Sequence, residues 1–214
     1  MRSHHRTATV IFAVVALLAI AAPATAASPW LTFKQAGTSA FASDNDCTAN
    51  TDGTVTCEGH FLSVFEGTIK EAGQATRKGD QICYSEQSST FDPTTGEPVD
   101  SRSLFGCALD AGTLTIDDLT SITLAATTIP MTSVECDPTT CTESPAASIT
   151  VSAAWTGVGP TFSQKSRAMF DDGICLQAHA DKGTFRQAIF AGPFEALEAG
   201  RSEGTFTFRT TCAI

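Results

Sequence analysis

Positively charged residues are scarce in this chain of 214 residues. Lys and Arg together number 13, against 23 Asp and Glu, which gives a formal net charge of −10. An acidic chain repels nucleic acid and anionic lipid, and the sequence contains no cluster of basic residues that would overcome this repulsion. The charge therefore predicts no nucleic-acid partner and no membrane-surface partner, and it favours solubility outside the cell.

Long apolar runs are also missing, with one exception at the N-terminus. Residues 10–22 are all apolar, they follow the basic Arg2 and Arg6, and Ala24-Thr25-Ala26 supplies small residues next to them. The run is shorter than the roughly 20 residues that span a bilayer. This order of segments predicts a secretory signal peptide over residues 1–26, with cleavage after Ala26.

The remaining segment, 27–214, has a length that suits one domain with a substantial core. Without Arg2 and Arg6 its net charge is near −12. It contains no second apolar run, and no Cys closely follows the first one, so neither a membrane anchor nor a lipid anchor is expected. The Ala- and Thr-rich leader is typical of a GC-rich bacterium. We therefore expect a single secreted domain of a bacterial protein.

Motifs that identify common enzymes are absent. The sequence has no Gly-x-Ser-x-Gly elbow, no phosphate-binding loop, no dinucleotide fingerprint and no Asn-x-Ser/Thr acceptor. Only His60 and His179 could serve as a histidine general base within 27–214, and such a base needs a positioned partner and a nucleophile. Since the alternation of residues places His179 on an outer face, we predict no catalytic residue.

Metal and cofactor sites are not predicted either. There is no Cys-x-x-Cys, and the two histidines are isolated, which argues against zinc. No Asp-x-Asp-x-Asp-Gly loop is present for calcium, and Asp pairs at turns are ordinary turn chemistry. The acidic residues considered for calcium are Asp44, Asp46, Asp117, Asp118, Asp171 and Asp172.

Cysteine is the one reactive residue type that is abundant, with eight residues in the chain. An even number of Cys behind a signal peptide indicates disulfides in an oxidising compartment. The spacing along the chain favours pairing each Cys with a neighbour on an adjacent strand or across a short loop. The predicted disulfides are Cys47–Cys57, Cys83–Cys107, Cys136–Cys141 and Cys175–Cys212.

The pattern of apolar residues predicts β-structure throughout. Residues 149–155 and 174–180 alternate apolar and polar side chains, and the segments 121–129 and 204–214 are rich in Thr. No segment has a convincing long helical pattern. The sequence therefore predicts an all-β protein, an antiparallel barrel or sandwich of about ten strands, braced by disulfides.

Glycine, Asp and Pro mark the expected turns between these strands. Residues 27–46 are interpreted as an entry segment that contains loops, and residues 195–200 as a helical turn or loop. The predicted turns and turn-rich loops are Asp52-Gly53, Gly79-Asp80, Asp92–Pro98, Asp117-Asp118, Gly157–Pro160, Asp171–Gly173 and Asp181–Gly183.

A weak internal repeat relates two parts of the chain, about 54–131 and 148–214. Both parts read aromatic-x-Gly, then Gln-x-x-Arg, then Asp-x-Ile-Cys. The repeat predicts two similar antiparallel meanders, although shared strand and turn chemistry gives the same pattern by chance. The matched residues are Phe65, Gly67, Gln74, Arg77, Asp80, Ile82 and Cys83 with Trp155, Gly157, Gln164, Arg167, Asp172, Ile174 and Cys175.

Charged residues within the repeat offer a further candidate site. Arg77 lies beside Asp80 and Arg167 beside Asp172, an arrangement that suits either a carboxylate or sulfate ligand or a plain surface ion pair. Surface ion pairs are the commoner case and contribute little stability.

The sequence favours a non-catalytic secreted domain that binds an extracellular ligand or protein. Loops on a rigid scaffold usually carry such binding, and the candidate loops are 92–98, 136–141 and 192–203. The alternatives are an extracellular hydrolase that uses His60 or His179 with nearby carboxylates, and a secreted protease inhibitor that presents one stapled loop.

Overall fold

The computed structural model describes residues 31–137, 139–171 and 175–212. These residues form nine β-strands and no helix, which confirms the all-β prediction. In this part of the chain there is accordingly no apolar helix of membrane-spanning length. The predicted signal peptide, residues 1–26, lies outside the described residues.

Each strand contains at least two of the residue types Thr, Val, Ile and Phe, which suit a pleated and half-buried surface, and all strands except β5 are long. In chain order they are β1 (Leu31–Ala49), β2 (Val55–Glu71), β3 (Arg77–Phe91), β4 (Pro98–Leu109), β5 (Leu114–Asp117), β6 (Ser121–Cys136), β7 (Cys141–Asp171), β8 (Cys175–Ala191) and β9 (Glu198–Cys212).

All nine strands belong to one antiparallel sheet with the order β4-β3-β2-β1-β9-β8-β7-β6-β5. One end of β6 pairs with β5 and the other end pairs with β4, so the two ends of the sheet meet. The sheet is not a clean barrel, because β4 and β6 share only the short stretch from Ser101↔Cys136 to Phe105↔Thr132. The antiparallel, disulfide-braced prediction is confirmed, with nine strands in a single sheet.

One face of the sheet encloses the hydrophobic core. Successive side chains of a strand point to opposite faces, so alternate residues of each strand enter the core. Trp155 on β7 is fully buried at its centre and contacts Phe190 with ring centroids 5.2 Å apart. We call this side the core face; its buried residues include Ala40, Ala42, Leu62, Val64, Ile82, Tyr84, Ile122, Leu124, Val151, Ala153 and Trp155.

Three predicted connections lie where the sequence places them. The Asp52-Gly53 turn joins β1 to β2, and Gly53 has a φ of 90°, which glycine adopts without strain. Residues 92–97 join β3 to β4, and residues 118–120 join β5 to β6. The predicted Asp171–Gly173 turn falls between the end of β7 and the start of β8, and residues 172–174 lie outside the described residues.

Other predicted turns are wrong, because their glycines lie inside strands. Gly79 is in β3, Gly183 is in β8, and Gly157–Pro160 lies within the 31 residues of β7. The register of β7 against β8 shifts between Val158 and Phe162, so a strand irregularity replaces the expected turn. The entry segment is also wrong as a loop, since β1 runs from Leu31 to Ala49.

Three disulfides brace neighbouring strands, and they are three of the four predicted pairs. They are Cys47–Cys57 between β1 and β2, Cys83–Cys107 between β3 and β4, and Cys136–Cys141 between β6 and β7. In each pair the two residues are opposite one another in the strand register. The backbone of Cys175 is likewise opposite Cys212, while the side chains of this pair lie outside the described part.

The residues matched by the internal repeat occupy different places in the sheet. Gln74 lies in the turn between β2 and β3, whereas Gln164 lies inside β7 and is paired with Gly183. Arg77 is the first residue of β3, whereas Arg167 belongs to the same strand as Trp155. The similarity of the two segments therefore does not extend to equivalent hairpins at these positions.

Candidate functional site

A row of five glycines crosses the sheet. Each glycine is the register partner of the next on the neighbouring strand, in the order Gly79, Gly67, Gly37, Gly204 and Gly183. The row runs through β3, β2, β1, β9 and β8, and Gln164 on β7 continues it opposite Gly183. Five adjacent strands therefore carry no side chain at this level.

Close approach of the backbones explains why glycine is needed in the row. A Cβ on Gly37 would meet the carbonyl oxygen of Glu66 and lie 2.7 Å from the Cα of Gly67, while one on Gly67 would meet the carbonyl oxygen of Ala36. A side chain at either position would force the strands apart. Glycine kinks of this kind let a sheet bend sharply enough to fold back on itself.

Threonine follows four of these glycines, and two of these threonines contact the crowded carbonyl groups. The hydroxyl of Thr68 donates to the carbonyl of Ala36 at 3.3 Å, and the hydroxyl of Thr205 donates to that of Lys182 at 3.5 Å. Gly-Thr dipeptides thus recur in the row at 37–38, 67–68, 183–184 and 204–205, but the same dipeptide stands at 53–54 and 112–113, outside the row.

A cavity of about 220 Å³ lies against the glycine row, on the side of the sheet opposite the core face. We call this side the cavity face. Strands β1, β2, β3, β7, β8 and β9 all contribute to its lining. The side chains that give the lining its character are Gln35, Gln81 and Gln164, Ser39, Ser63 and Ser202, Asp181, and Phe65 and Phe206.

The polar groups of the cavity are mostly neutral. Ser39 and Ser202 are register partners, and their hydroxyl oxygens are 2.7 Å apart. None of the described residues that line the cavity is Lys, Arg or His. Burial raises the pKa of the Asp181 carboxyl above its ordinary value of 3.8, although a hydrogen bond from the backbone of Lys182 partly opposes this.

An aromatic row borders the cavity along the same face. Phe41 is stacked against Phe61 and Phe185, with ring centroids 6.5 and 6.4 Å apart. Gly200 lies between the rings, and a Cβ there would collide with both Phe41 and Phe185. The register partner of Phe185 on β7 is Phe162, whose side chain is 53% exposed. The cavity thus opens beside an apolar surface.

His60 is held in place by a carboxylate on the core face. Its Nδ1 lies 2.9 Å from Asp44 Oδ1, its backbone N–H donates to the same oxygen at 2.6 Å, and its ring stacks on Phe194 at 5.4 Å. No Ser, Thr or Cys of the described chain hydrogen-bonds to this ring. Asp44 therefore orients the His60 ring as the carboxylate beside a catalytic histidine would, but no described nucleophile is positioned beside the ring.

His179 lies on the cavity face among phenylalanines. Its ring centroid is 4.8 Å from that of Phe208, 5.5 Å from that of Phe170 and 6.2 Å from that of Phe206, all edge to face. These contacts make His179 a half-buried packing residue rather than the free surface residue that the alternation suggests.

Of the two candidate Arg–Asp pairs, that of Arg77 with Asp80 is not formed. Arg77 lies 3.9 Å from Asp110, and Asp80 instead accepts hydrogen bonds from the backbone N–H groups of Ala111 and Gly112. Arg167 is exposed opposite Ala180, and Asp172 lies outside the described residues. Within those residues, no group of three potential ligands could hold a metal ion.

The three candidate loops are held by local bonds. In the first loop, Asp92 accepts a hydrogen bond from the backbone N–H of Thr94. In the second, Asp137 accepts hydrogen bonds from Thr139 and Thr140, and these bonds lower the pKa of Asp137 to about 2. The third prediction, a loop over 192–203 with a helical turn or loop at 195–200, is wrong beyond residue 197, because β9 begins at Glu198. In the remaining loop, Phe194 packs between His60, Tyr84 and Phe190. These contacts fix the shape of the loops, and none of the loop residues 92–98 or 136–141 lines the cavity.

Comparisons of the chain with protein-family models, with curated proteins and with solved structures found no match. The cavity and its lining are therefore the features from which a function must be argued.

Proposed function

We propose that this protein is a secreted, non-catalytic domain that binds a neutral, hydroxyl-rich ligand, such as one sugar unit of a glycan, in the cavity over the glycine row. The observation that carries the proposal is the composition of the lining. Amide and hydroxyl groups from five strands converge there beside two phenylalanines.

Amides and hydroxyls suit a ligand that both donates and accepts hydrogen bonds. Each Gln side chain offers an NH₂ and a carbonyl oxygen, and each Ser offers one O–H donor and two acceptor positions. The groups of Gln35, Gln81 and Gln164 can therefore pair with several hydroxyls of one small molecule. Binding sites of this kind combine a few placed polar groups with apolar walls, and Phe65 and Phe206 supply those walls.

The charge of the lining argues against an anionic ligand. Among the described lining residues, Asp181 is the one whose acidic side chain is on the cavity face, and no basic residue is present to balance an anion. A carboxylate can accept two hydrogen bonds from vicinal hydroxyl groups, and charge-assisted bonds of this type are the stronger ones. Neutral sugars are favoured over acidic ones on this basis.

The size of the cavity limits the ligand to a small unit. Its volume, about 220 Å³, lies below the roughly 300–1,000 Å³ of drug-sized pockets. One ring with its hydroxyl groups fits this scale, whereas a longer chain would have to continue outside the cavity. The aromatic row at Phe41, Phe61 and Phe185 is the surface that such a continuation would meet.

Secretion is part of the proposal. Three disulfides indicate an oxidising setting, and residues 1–26 have the composition of a signal peptide. An extracellular location would give the domain access to glycans of cell walls or surfaces.

Calorimetric titration with a panel of neutral, acidic and amino sugars tests the proposal. We expect saturable binding of a neutral sugar, and a loss of about tenfold in affinity for Gln35→Ala, because one net hydrogen bond is removed. Gln87→Ala is the matched control, since Gln87 is exposed on β3 and outside the cavity. Absence of binding by every sugar, or equal losses in both variants, would refute the proposal.

A further inference from the structure

The surface beyond the glycine row carries most of the positive charge of the protein. Three adjacent rows of register partners cross the sheet there, on the same side of the sheet as the core but outside it. Seven of the 13 Lys and Arg residues of the chain belong to these rows, and all seven are exposed. We call this surface the basic band; its cations are Lys34, Lys70, Lys78, Lys165, Arg167, Lys182 and Arg209.

The strand register brings these cations together from six strands. Because each strand contributes only one or two of them, no segment of the sequence shows the cluster, and it exists only in the folded sheet. From the glycine row outward, the three rows are Lys78, Thr68, Ala36, Thr205, Lys182 and Lys165; Lys70, Lys34, Thr207, Ala180 and Arg167; and Thr32, Arg209, Ala178 and Met169.

The basic band contains no acidic residue. The row between the band and the core carries Glu66, Asp80 and Glu203, so the band ends there. Among the described residues, no carboxylate oxygen lies within 4.0 Å of a cation of the band, since the ion pairs there involve other residues. The described part of the chain therefore does not neutralise these charges through ion pairs.

Two pairs of cations in the band are directly opposite each other. Lys34 is the register partner of Lys70, and Lys165 is that of Lys182. Like charges in such positions destabilise an antiparallel sheet, whereas opposite charges would stabilise it. The sequence thus places cations where folding alone disfavours them, and a bound anion would offset their repulsion.

Small side chains separate the cations within each row. Ala and Thr occupy nearly all of the positions between them, so an extended molecule can lie across the strands without meeting a bulky side chain. Since neighbouring strands are about 4.8 Å apart, the first row spans about 24 Å along the sheet from β3 to β7. This length suits a chain of several sugar rings better than a single small anion.

We propose that the basic band binds an acidic polysaccharide, a chain on which carboxylate or sulfate groups recur at intervals. Five of the seven cations are Lys, whose compact charge on a flexible stem can follow anionic groups spaced along a polymer. None of the seven cations lines the cavity, which opens on the opposite face of the sheet. This site therefore does not depend on the function proposed for the cavity.

The surroundings of the band favour a single polymer chain over a membrane or a nucleic acid. The net charge of the chain is −10 although the band holds seven cations, so the remaining surface is strongly acidic. An anionic membrane extends past the band and meets this acidic surface within the screening length of about 10 Å, whereas one polymer chain contacts the band alone. Single-stranded nucleic acids stack on aromatic side chains, and the three rows contain none.

Fluorescence anisotropy with labelled polymers tests the proposal. The probes are polygalacturonate, which carries carboxylates, dextran sulfate, and uncharged dextran. We expect saturable binding to at least one acidic polymer, with an affinity that falls as salt is added, because screening weakens contacts between exposed charges. The preferred polymer identifies the anionic group. Binding to neither acidic polymer, or an affinity no higher than for dextran, would overturn the proposal.

The double variant Lys34→Gln with Lys70→Gln tests the role of the band. We expect its affinity for the acidic polymer to fall by about tenfold, because two cations near an anionic surface are removed. Arg77→Gln with Arg102→Gln is the matched control, since it changes the net charge equally and both residues lie outside the band. Equal losses in the two variants would show that net charge alone decides binding, and would overturn the proposal.

The single variant Lys34→Glu separates binding from folding. The new carboxylate would be opposite Lys70, so the thermal unfolding midpoint should stay the same or rise, while the affinity for the acidic polymer should fall by about tenfold. A lower midpoint with unchanged affinity would assign these lysines a structural role and overturn the proposal.

Three further measurements address other occupants of the band. They are binding to vesicles that contain phosphatidylserine, binding to single-stranded DNA, and sedimentation of the protein at increasing concentration. We expect weaker binding to vesicles and DNA than to the acidic polymer, and no self-association that depends on the band. Tighter binding to either probe, or self-association that Lys34→Gln with Lys70→Gln abolishes, would assign the band to that partner and overturn the proposal.

Discussion

The indole Nε1 of Trp155 donates a hydrogen bond of 2.9 Å to the carbonyl oxygen of Phe41. Trp155 lies on β7 and Phe41 on β1, and two strands, β9 and β8, separate them in the sheet. The bond therefore crosses the interior and joins opposite walls. The Phe41 ring lies on the other face and stacks on Phe61 and Phe185, so one residue connects the core to the border of the cavity.

Replacing Trp155 with Phe should destabilise the protein by about 3 kcal/mol. The variant removes the indole donor to the partly buried carbonyl of Phe41 and part of a fully buried ring, and both effects are unfavourable. Urea unfolding followed by circular dichroism measures the change. A cost below about 1 kcal/mol would mean that the bond contributes little to the closed sheet.

Glycine at position 37 should tolerate no substitution. Gly37→Ala places a Cβ against the carbonyl oxygen of Glu66 and the Cα of Gly67, and we expect a loss of about 3 kcal/mol because backbone must move. Gly59→Ala is the control on the neighbouring strand, where the nearest atom to a Cβ is 3.1 Å away. Its cost should stay below about 1 kcal/mol. Similar losses in both variants would remove the special role of the row.

Asp181→Asn should change how stability depends on pH. Because burial raises the pKa of this carboxyl above 3.8, the folded state holds the proton more tightly than the unfolded chain. The contribution of Asp181 to stability is therefore greatest below pH 3.8 and is lost as the pH rises through the folded-state pKa. We expect Asp181→Asn to gain stability relative to the wild type over that rise, as measured by denaturant unfolding at a series of pH values.

Asp52→Asn is the control of opposite sign for this pH experiment. Hydrogen bonds from the backbone and hydroxyl of Thr54 lower the pKa of Asp52. Its contribution is present above pH 3.8 and is lost as the pH falls through the lowered value, so the Asn variant loses stability relative to the wild type near neutral pH. Changes of the same sign in both variants would contradict the two assignments.

The disulfides should differ in their contribution to stability. Cys83–Cys107 closes a sequence separation of 24 residues and Cys136–Cys141 one of 5. Loop-closure entropy predicts a loss of about 3.5 kcal/mol for Cys83→Ala with Cys107→Ala, against about 2 kcal/mol for Cys136→Ala with Cys141→Ala. Unfolding of each double variant, with the other bonds kept oxidised, checks the order. A larger loss at the short loop would show that closure entropy does not decide the order.

Local chemistry explains which parts of the fold the sequence predicts well. The turn at Asp52-Gly53 and the loop at 92–97 join strands that are neighbours in the chain, so their residues alone define them. The three disulfides of known geometry also join strands that follow one another. Alternating residues around Trp155 likewise reveal a half-buried strand without any knowledge of its partners.

The glycine row could not be recognised from any single segment. Gly79 and Gly183 have the same sequence signature as turn glycines, because freedom from a Cβ serves both a turn and a close approach of backbones. Only the register of the paired strands shows that these residues adjoin Gly37 and Gly67. The cavity is harder still, since its lining comes from six strands. The full burial of Arg201 on β9 also gave no signal, because an isolated arginine in a strand is ordinarily exposed.

The pairing of β1 with β9 has a consequence for how the molecule is made. Leu31 is paired with Thr210 and Ser43 with Glu198. The first described strand, β1, therefore completes its hydrogen bonds only after the last strand, β9, has been synthesised and has paired with it. Until then, one edge of β1 stays open, and open edges invite pairing with other chains. Closure of such distant segments is also slow. A chaperone that shields this edge during folding would therefore matter more for this protein than for one built from hairpins alone.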